Sequence, residues 1–134
     1  MINRKPKKMS GKIVKGIQKA SYFTNLDWVQ KQCIEKLGFR PYPGTLNLRI
    51  EGDELHLLEV LQNEKAEELI PPDPKFCSAR VYPVMIGKEK CALLIPDESV
   101  RVHGAAIVEF IAPKSLKDAL NVEDGDSLTV VIGG

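Results

Sequence analysis

Between Gly38 and Ile50 the chain reads GFRPYPGTLNLRI, and this stretch limits the fold more than any other. Pro41 and Pro43 fix φ on either side of Tyr42 and hold their predecessors extended, so the approach is a stiff loop and not a helix. Gly44 ends that constraint. Thr45, Asn47 and Arg49 then alternate with Leu46, Leu48 and Ile50, the period of a half-buried strand. One face is apolar and turned to a core; the other carries a threonine and an amide.

The other segments repeat the theme of short strands between turns. Ser10 to Ile17 is a strand candidate, and Gly16 to Phe23 is a loop whose small residues would let backbone amides approach phosphate oxygens. Asn25 or Asp27 caps a helix running to Leu37, with Trp28, Cys33, Ile34 and Leu37 as its core face and Gly38 as its stop. Glu51, Gly52 and Asp53 make a turn. Leu55 to Ile70 is leucine-rich, acidic and partly helical, and IPPDPK is extended. Phe76 to Ile86 and Lys90 to Ile95 form a hairpin around Gly87, with Pro83 marking an edge or a bulge. Pro96 to Gly104 is a polar loop. Ala105 to Ile111 is a β-branched strand carrying one carboxylate, Glu109. Ser115 caps a short helix to Leu120 with Asp118 at its third position. A turn at Asp124 to Asp126 leads into a last strand, Ser127 to Ile132. This pattern predicts a mainly β (α+β) fold, a small β-barrel with short inserted helices, and not a βαβ sheet.

With 134 residues, 43% of them hydrophobic, the chain can bury a core as one domain without disulfides or metals. Seven basic residues from Arg4 to Lys19 precede the first acid, Asp27, although the formal net charge is only +1. Residues 1–9 are expected to be a flexible basic tail and residues 10–134 a single barrel domain, with Lys15 and Lys19 as ligand candidates beyond the tail. Cys33, Cys77 and Cys91 are odd in number and widely spaced, which supports neither a disulfide framework nor a zinc site. There is no GxxxxGK[ST] loop and no GxGxxG fingerprint, which disfavours the common nucleotide folds. No apolar run is long enough for a bilayer or placed as a secretory signal, so a cytoplasmic location with no membrane partner is expected.

Three stretches taken together, GKIVKGIQKASYF, PGTLNLRI and EFIAPKSLKDALNVEDGDSLTV, resemble the archaeal CTP-dependent riboflavin kinases. These are small cradle-loop β-barrels that phosphorylate riboflavin to FMN. The resemblance implies riboflavin/FMN and CTP/CDP as ligands and Mg2+ that arrives with CTP; a monomer is expected, although nothing in the sequence sets the oligomeric state. It assigns Thr45 and Asn47 to the metal; being neutral, they need phosphate or water oxygens to complete the shell. It assigns Gly16, Ile17, Gln18, Lys19, Ala20, Ser21 and Tyr22 to the nucleotide phosphates. Here the glycine-rich character of relatives is reduced to Gly16, and Lys19 supplies a charge. Lys114, Ser115, Leu116 and Lys117 match the second nucleotide contact, where relatives often have an arginine in the place of Lys117. Glu109 matches a flavin-site glutamate able to accept a proton from the attacking hydroxyl, and Ser99 a flavin contact. Extra residues between Pro96 and Glu109 leave Arg101 and His103 as alternatives to Ser99. Tyr42, Tyr22 and Phe23 are candidates for stacking on a base or the flavin.

Without the resemblance, Thr45, Asn47 and Glu109 read as solvated strand positions, residues 17–22 as a surface turn and KSLK as a capping motif. Two other readings follow from the residues. NVEDGDSLTVVI and the basic tail are similar to swapped-hairpin DNA-binding regulators, which would leave PYPGTLNL and APKSLK without a role. A flavin or nucleotide carrier without catalysis would account for the thinned glycine loop. Nucleic acid is not the expected partner, since the overall charge is close to neutral.

Overall fold

The computed structural model describes residues 7–16, 20–62, 64, 66–73, 78–96, 101–102 and 105–133. In chain order these form β1 (Lys7–Val14), α1 (Ala20–Asn25), α2 (Asp27–Leu37), β2 (Leu46–Glu51), α3 (Glu54–Gln62), β3 (Glu67–Leu69), β4 (Ala79–Ile86), β5 (Glu89–Pro96), β6 (Arg101–Val102), β7 (Ala105–Ile111), α4 (Leu116–Leu120) and β8 (Ser127–Ile132). Every strand pairing is antiparallel. The order β2-β1-β8-β4-β5-β7 returns to β2 through a β2–β7 pairing, so six strands close into a barrel. Closure leaves no free edge in the ring. β3 and β6 lie outside it, on β4 and β7.

Alternation along the strands fills the barrel. Met9, Ile13, Leu48, Ile50, Leu93, Val108, Phe110 and Val130 point inward, with Leu58 and Leu61 of α3 and Leu116 of α4 packed into the same cluster. A second apolar cluster lies outside the wall, where Val29 and Cys33 of α2 meet Ala92, Leu94 and Ile111. Phe23 and Trp28 pack edge to face at its margin, with ring centroids 6.0 Å apart.

The expected hairpin forms as β4 and β5. Pro83, which has no N–H to give, falls between the part of β4 that pairs with β3 and the part that pairs with β8. The helix to Leu37 ends as expected on Gly38, whose φ of 81° lets its N–H reach the Cys33 and Ile34 carbonyls. Its start differs. The N-cap is Leu26 without a side-chain cap bond, and Asp27 stands in the first turn, where its charge suits the helix dipole. Ile34 is 46% exposed, because the second cluster is contacted through Val29 and Cys33 instead.

Three further expectations are corrected. β1 starts at Lys7 and pairs with β8 from there, and Met9 is fully buried. Lys7 also pairs with Glu64 at 2.6 Å, so the expected tail 1–9 yields residues 7–9 to the barrel. Residues 1–6 lie outside the described residues. The expected loop between Gly16 and Phe23 contains the start of α1 at Ala20. The leucine-rich segment contains β3 as well as its helix. Cys33 and Cys91 are buried free thiols; Cys77 lies outside the described residues. No helix among the described residues is long and apolar enough to cross a membrane.

Candidate functional site

The polar face of β2 and β7 carries the site. Asn47 and Glu109 are direct partners in the β2–β7 register, and Thr45 immediately precedes β2. Thr45 Oγ1 donates to Glu109 Oε1 at 3.2 Å, and Asn47 Nδ2 donates to Thr45 Oγ1 at 3.3 Å and to the Thr45 carbonyl at 3.4 Å. Residues drawn from distant parts of the sequence thus form one hydrogen-bonded cluster.

Asn47 does not lie on a solvated face. It is 5% exposed, because the chain leaving β1 passes directly over it: a Cβ built on Gly16 would stand 2.1 Å from Asn47 Nδ2. Real Cβ atoms do not come that close, so a side chain at Gly16 would have to displace the Asn47 amide or the chain itself; it is contact and not φ that favours glycine there. The contact joins the first predicted nucleotide segment to the predicted metal pair. Of that segment, Ile17, Gln18 and Lys19 lie outside the described residues, and Ala20, Ser21 and Tyr22 open α1.

The stiff loop is fastened at two points. Tyr42 N–H donates to the Ala112 carbonyl at 2.7 Å, and Gly44 N–H donates to Thr24 Oγ1 at 2.9 Å. Thr24 is fully buried in α1, and no motif in the sequence singled it out. Between this loop and α4 lies a cleft of about 150 Å3. Tyr42 to Thr45 form one wall, Lys114 to Lys117 the other, and Leu46, Phe110 and Ala112 the floor. The second predicted nucleotide segment therefore faces Thr45 across a cleft. A larger groove of about 530 Å3 sits between the end of α2 and the outer wall of β4, β5 and β8, and none of the predicted site residues lines it.

Ser115 performs the expected capping, accepting the Asp118 N–H at 3.4 Å, and this holds α4 against the cleft. Both lysines are engaged by carboxylates: Lys114 with Glu89 at 3.1 Å and Lys117 with Asp124 at 2.6 Å. These counterions were not anticipated, although the DGD turn placed Asp124 nearby in sequence. Ser99 and His103 lie outside the described residues, and Arg101 belongs to β6. His56 is exposed on α3.

The cluster offers a hydroxyl, an amide oxygen and one carboxylate, all hard oxygen donors of the kind Mg2+ prefers. Among the described residues no group of three His, Cys, Asp or Glu side chains gathers. A cation at Thr45 and Asn47 would therefore take its remaining oxygens from a bound phosphate or from water. The donor set fits a metal carried in with a nucleotide.

A family model named CTP-dep_RFKase, described as a domain of unknown function, DUF120, matches residues 13–132. The chain belongs to this archaeal CTP-dependent riboflavin kinase family. Among its relatives in the family, the riboflavin kinase of Archaeoglobus fulgidus is 36% identical over 129 residues, covering 93% of this chain and 54% of that protein. That of Methanosarcina barkeri is 34% identical over 126 residues, covering 91% and 55%. That of Methanobrevibacter smithii is 34% identical over 124 residues, covering 92% and 98%. The chain spans about half the length of the first two relatives and nearly all of the third.

Proposed function

We propose that this chain is a riboflavin kinase that transfers the γ-phosphoryl group of CTP to the 5′-hydroxyl of riboflavin, giving FMN and CDP. The observation that carries this reading is the Thr45–Glu109 hydrogen bond, with Asn47 facing Glu109 in register and Thr45 also lining the cleft that the two lysines border. Phosphoryl transfer asks for in-line positioning and for cancellation of charge on phosphate oxygens, with little covalent work by the protein. A carboxylate beside a cleft bordered by two ion-paired lysines suits that division of labour.

Glu109 orients the 5′-hydroxyl and accepts its proton. Lys114 and Lys117 leave Glu89 and Asp124 to neutralise the phosphates. The α4 amides and those near Gly16 add donors to the same oxygens. The Thr45 hydroxyl and the Asn47 side-chain carbonyl would hold Mg2+, which when bound withdraws charge from the transferring phosphoryl group. CTP as donor and Mg2+ as metal rest on the family. The barrel closes within one chain and requires no hairpin exchanged with a second copy.

The test is FMN formation from riboflavin with CTP, ATP, GTP and UTP supplied separately, each with Mg2+ and with chelator. Turnover with CTP and Mg2+, lost on chelation, is the expected result. Riboflavin binding without turnover with any nucleotide would replace the kinase by a carrier.

A further inference from the structure

Both lysines on the wall of the cleft are already paired, and neither of their carboxylates lines it. Lys114 meets Glu89 at 3.1 Å and Lys117 meets Asp124 at 2.6 Å, each through the ammonium nitrogen that a phosphate would need. Two cations are matched by two anions, so the charge that a nucleotide meets on arrival is close to cancelled.

The two sides of each pair differ in freedom. Glu89 opens β5 just after the turn at Gly87, and that turn abuts α4: a Cβ on Gly87 would stand 3.3 Å from Leu120 Cδ2. Asp124 sits in a turn that is tied to β1. Gly125 N–H donates to the Ile13 carbonyl and Ile13 N–H to the Asp126 carbonyl, both at 2.8 Å, and Glu123 N–H donates to Asp126 Oδ2 at 2.9 Å. Both carboxylates thus stand on anchored backbone. The side chains of Lys114 and Lys117 are 57% and 44% exposed, and each carries its charge on a four-carbon stem that can swing. Exposed pairs of this kind contribute little stability, so they yield to an anion of higher charge.

We infer that Glu89 and Asp124 are exchange counterions that set nucleotide affinity: they hold Lys114 and Lys117 between turnovers, give them up to the phosphates of the arriving nucleotide, and take them back as the spent diphosphate leaves. This rests on the kinase reading above. Neither carboxylate touches the reacting atoms; each is a positioning residue that acts through its lysine. A lysine gains a phosphate only by losing a carboxylate, so the exchange lowers the affinity for CTP and CDP alike and eases the exit of CDP.

The test measures CDP binding with Mg2+ by calorimetry, the KM for CTP and for riboflavin, and Tm, in wild type, Glu89→Gln and Asp124→Asn. Both substitutions keep the shape and remove the charge. Each should tighten CDP binding and lower the KM for CTP about threefold, with the KM for riboflavin and the Tm near wild type. The gain has to pass through the lysine: in a Lys117→Ala background, Asp124→Asn should leave CDP binding unchanged. Weaker or unchanged CDP binding in either single variant overturns the exchange while wild-type turnover keeps the kinase reading, and so does equal tightening with and without Lys117. Absence of FMN formation by wild type would end the kinase reading, and absence of nucleotide binding would end the exchange with it.

Discussion

Gly16 and Asn47 show how narrowly the site is built. Because a Cβ at Gly16 would stand 2.1 Å from the Asn47 amide, Gly16→Ala must move either the chain or the amide. Misplacement on the scale of an ångström costs about 10²-fold in rate, so turnover should fall by about that factor, and the overpacking should cost about 1–3 kcal/mol of stability as well. Asn47→Ala should abolish the Mg2+-dependent part of turnover; an unchanged response to Mg2+ would remove Asn47 from the metal. Glu109→Gln keeps the shape and removes the base, and kcat should fall about 10²-fold or more. Activity equal to wild type would end its proposed role. The spacing of Thr45 and Asn47 put them on one strand face, and the resemblance named them. Neither revealed that Asn47 is buried, since its cover comes from backbone at the end of another strand.

At the scale of elements, α4 is the device that aims Lys117 and fixes the turn from which Lys114 leaves. It has five residues, too few to stand on their own propensity, and it depends on the Ser115 cap and on Leu116 buried in the core. Ser115→Ala should cost about 1 kcal/mol of stability and raise the KM for CTP more than that for riboflavin. A circular dichroism melt and the two KM values decide it. This helix was legible because its cap, its third-position acid and its flanking proline are all local signals. The β4–β5 hairpin was legible for the same reason. The short helix α1 was not: it carries no acid in its first turn and no base in its last. Its Thr24 instead anchors the Pro-Tyr-Pro-Gly loop, a long-range contact that no periodicity announces. The start of β1 was misread because lysines suggested a tail, whereas Met9 faces the core and Lys7 finds Glu64.

Across the whole molecule, one closed wall packs a core inside and carries the candidate site outside. Phe110 is 1% exposed, lies in the inner cluster and floors the cleft, so Phe110→Ala should cost about 3–5 kcal/mol and disturb nucleotide binding as well. The buried thiols make a separate prediction. Burial raises Cys33 to about 11, and burial aided by the Glu89 charge raises Cys91 to about 12, from an ordinary value of 9.0. Above pH 9 the unfolded chain releases these protons while the folded chain keeps them. Their stabilisation is therefore complete below that pH and is lost as the pH climbs toward 11 and 12, which urea titrations across the range will register. The barrel itself could be expected from many short strands, but its closure could not, because the β1–β8 contact joins opposite ends of the described chain. That seam has a consequence for biosynthesis. On the ribosome β1 emerges before β8 and must wait, its edge unmatched, until β8 has been made. Closure comes late and over a long contour, so refolding should be slow and limited by the formation of this seam, which stopped-flow refolding followed by tryptophan fluorescence will time.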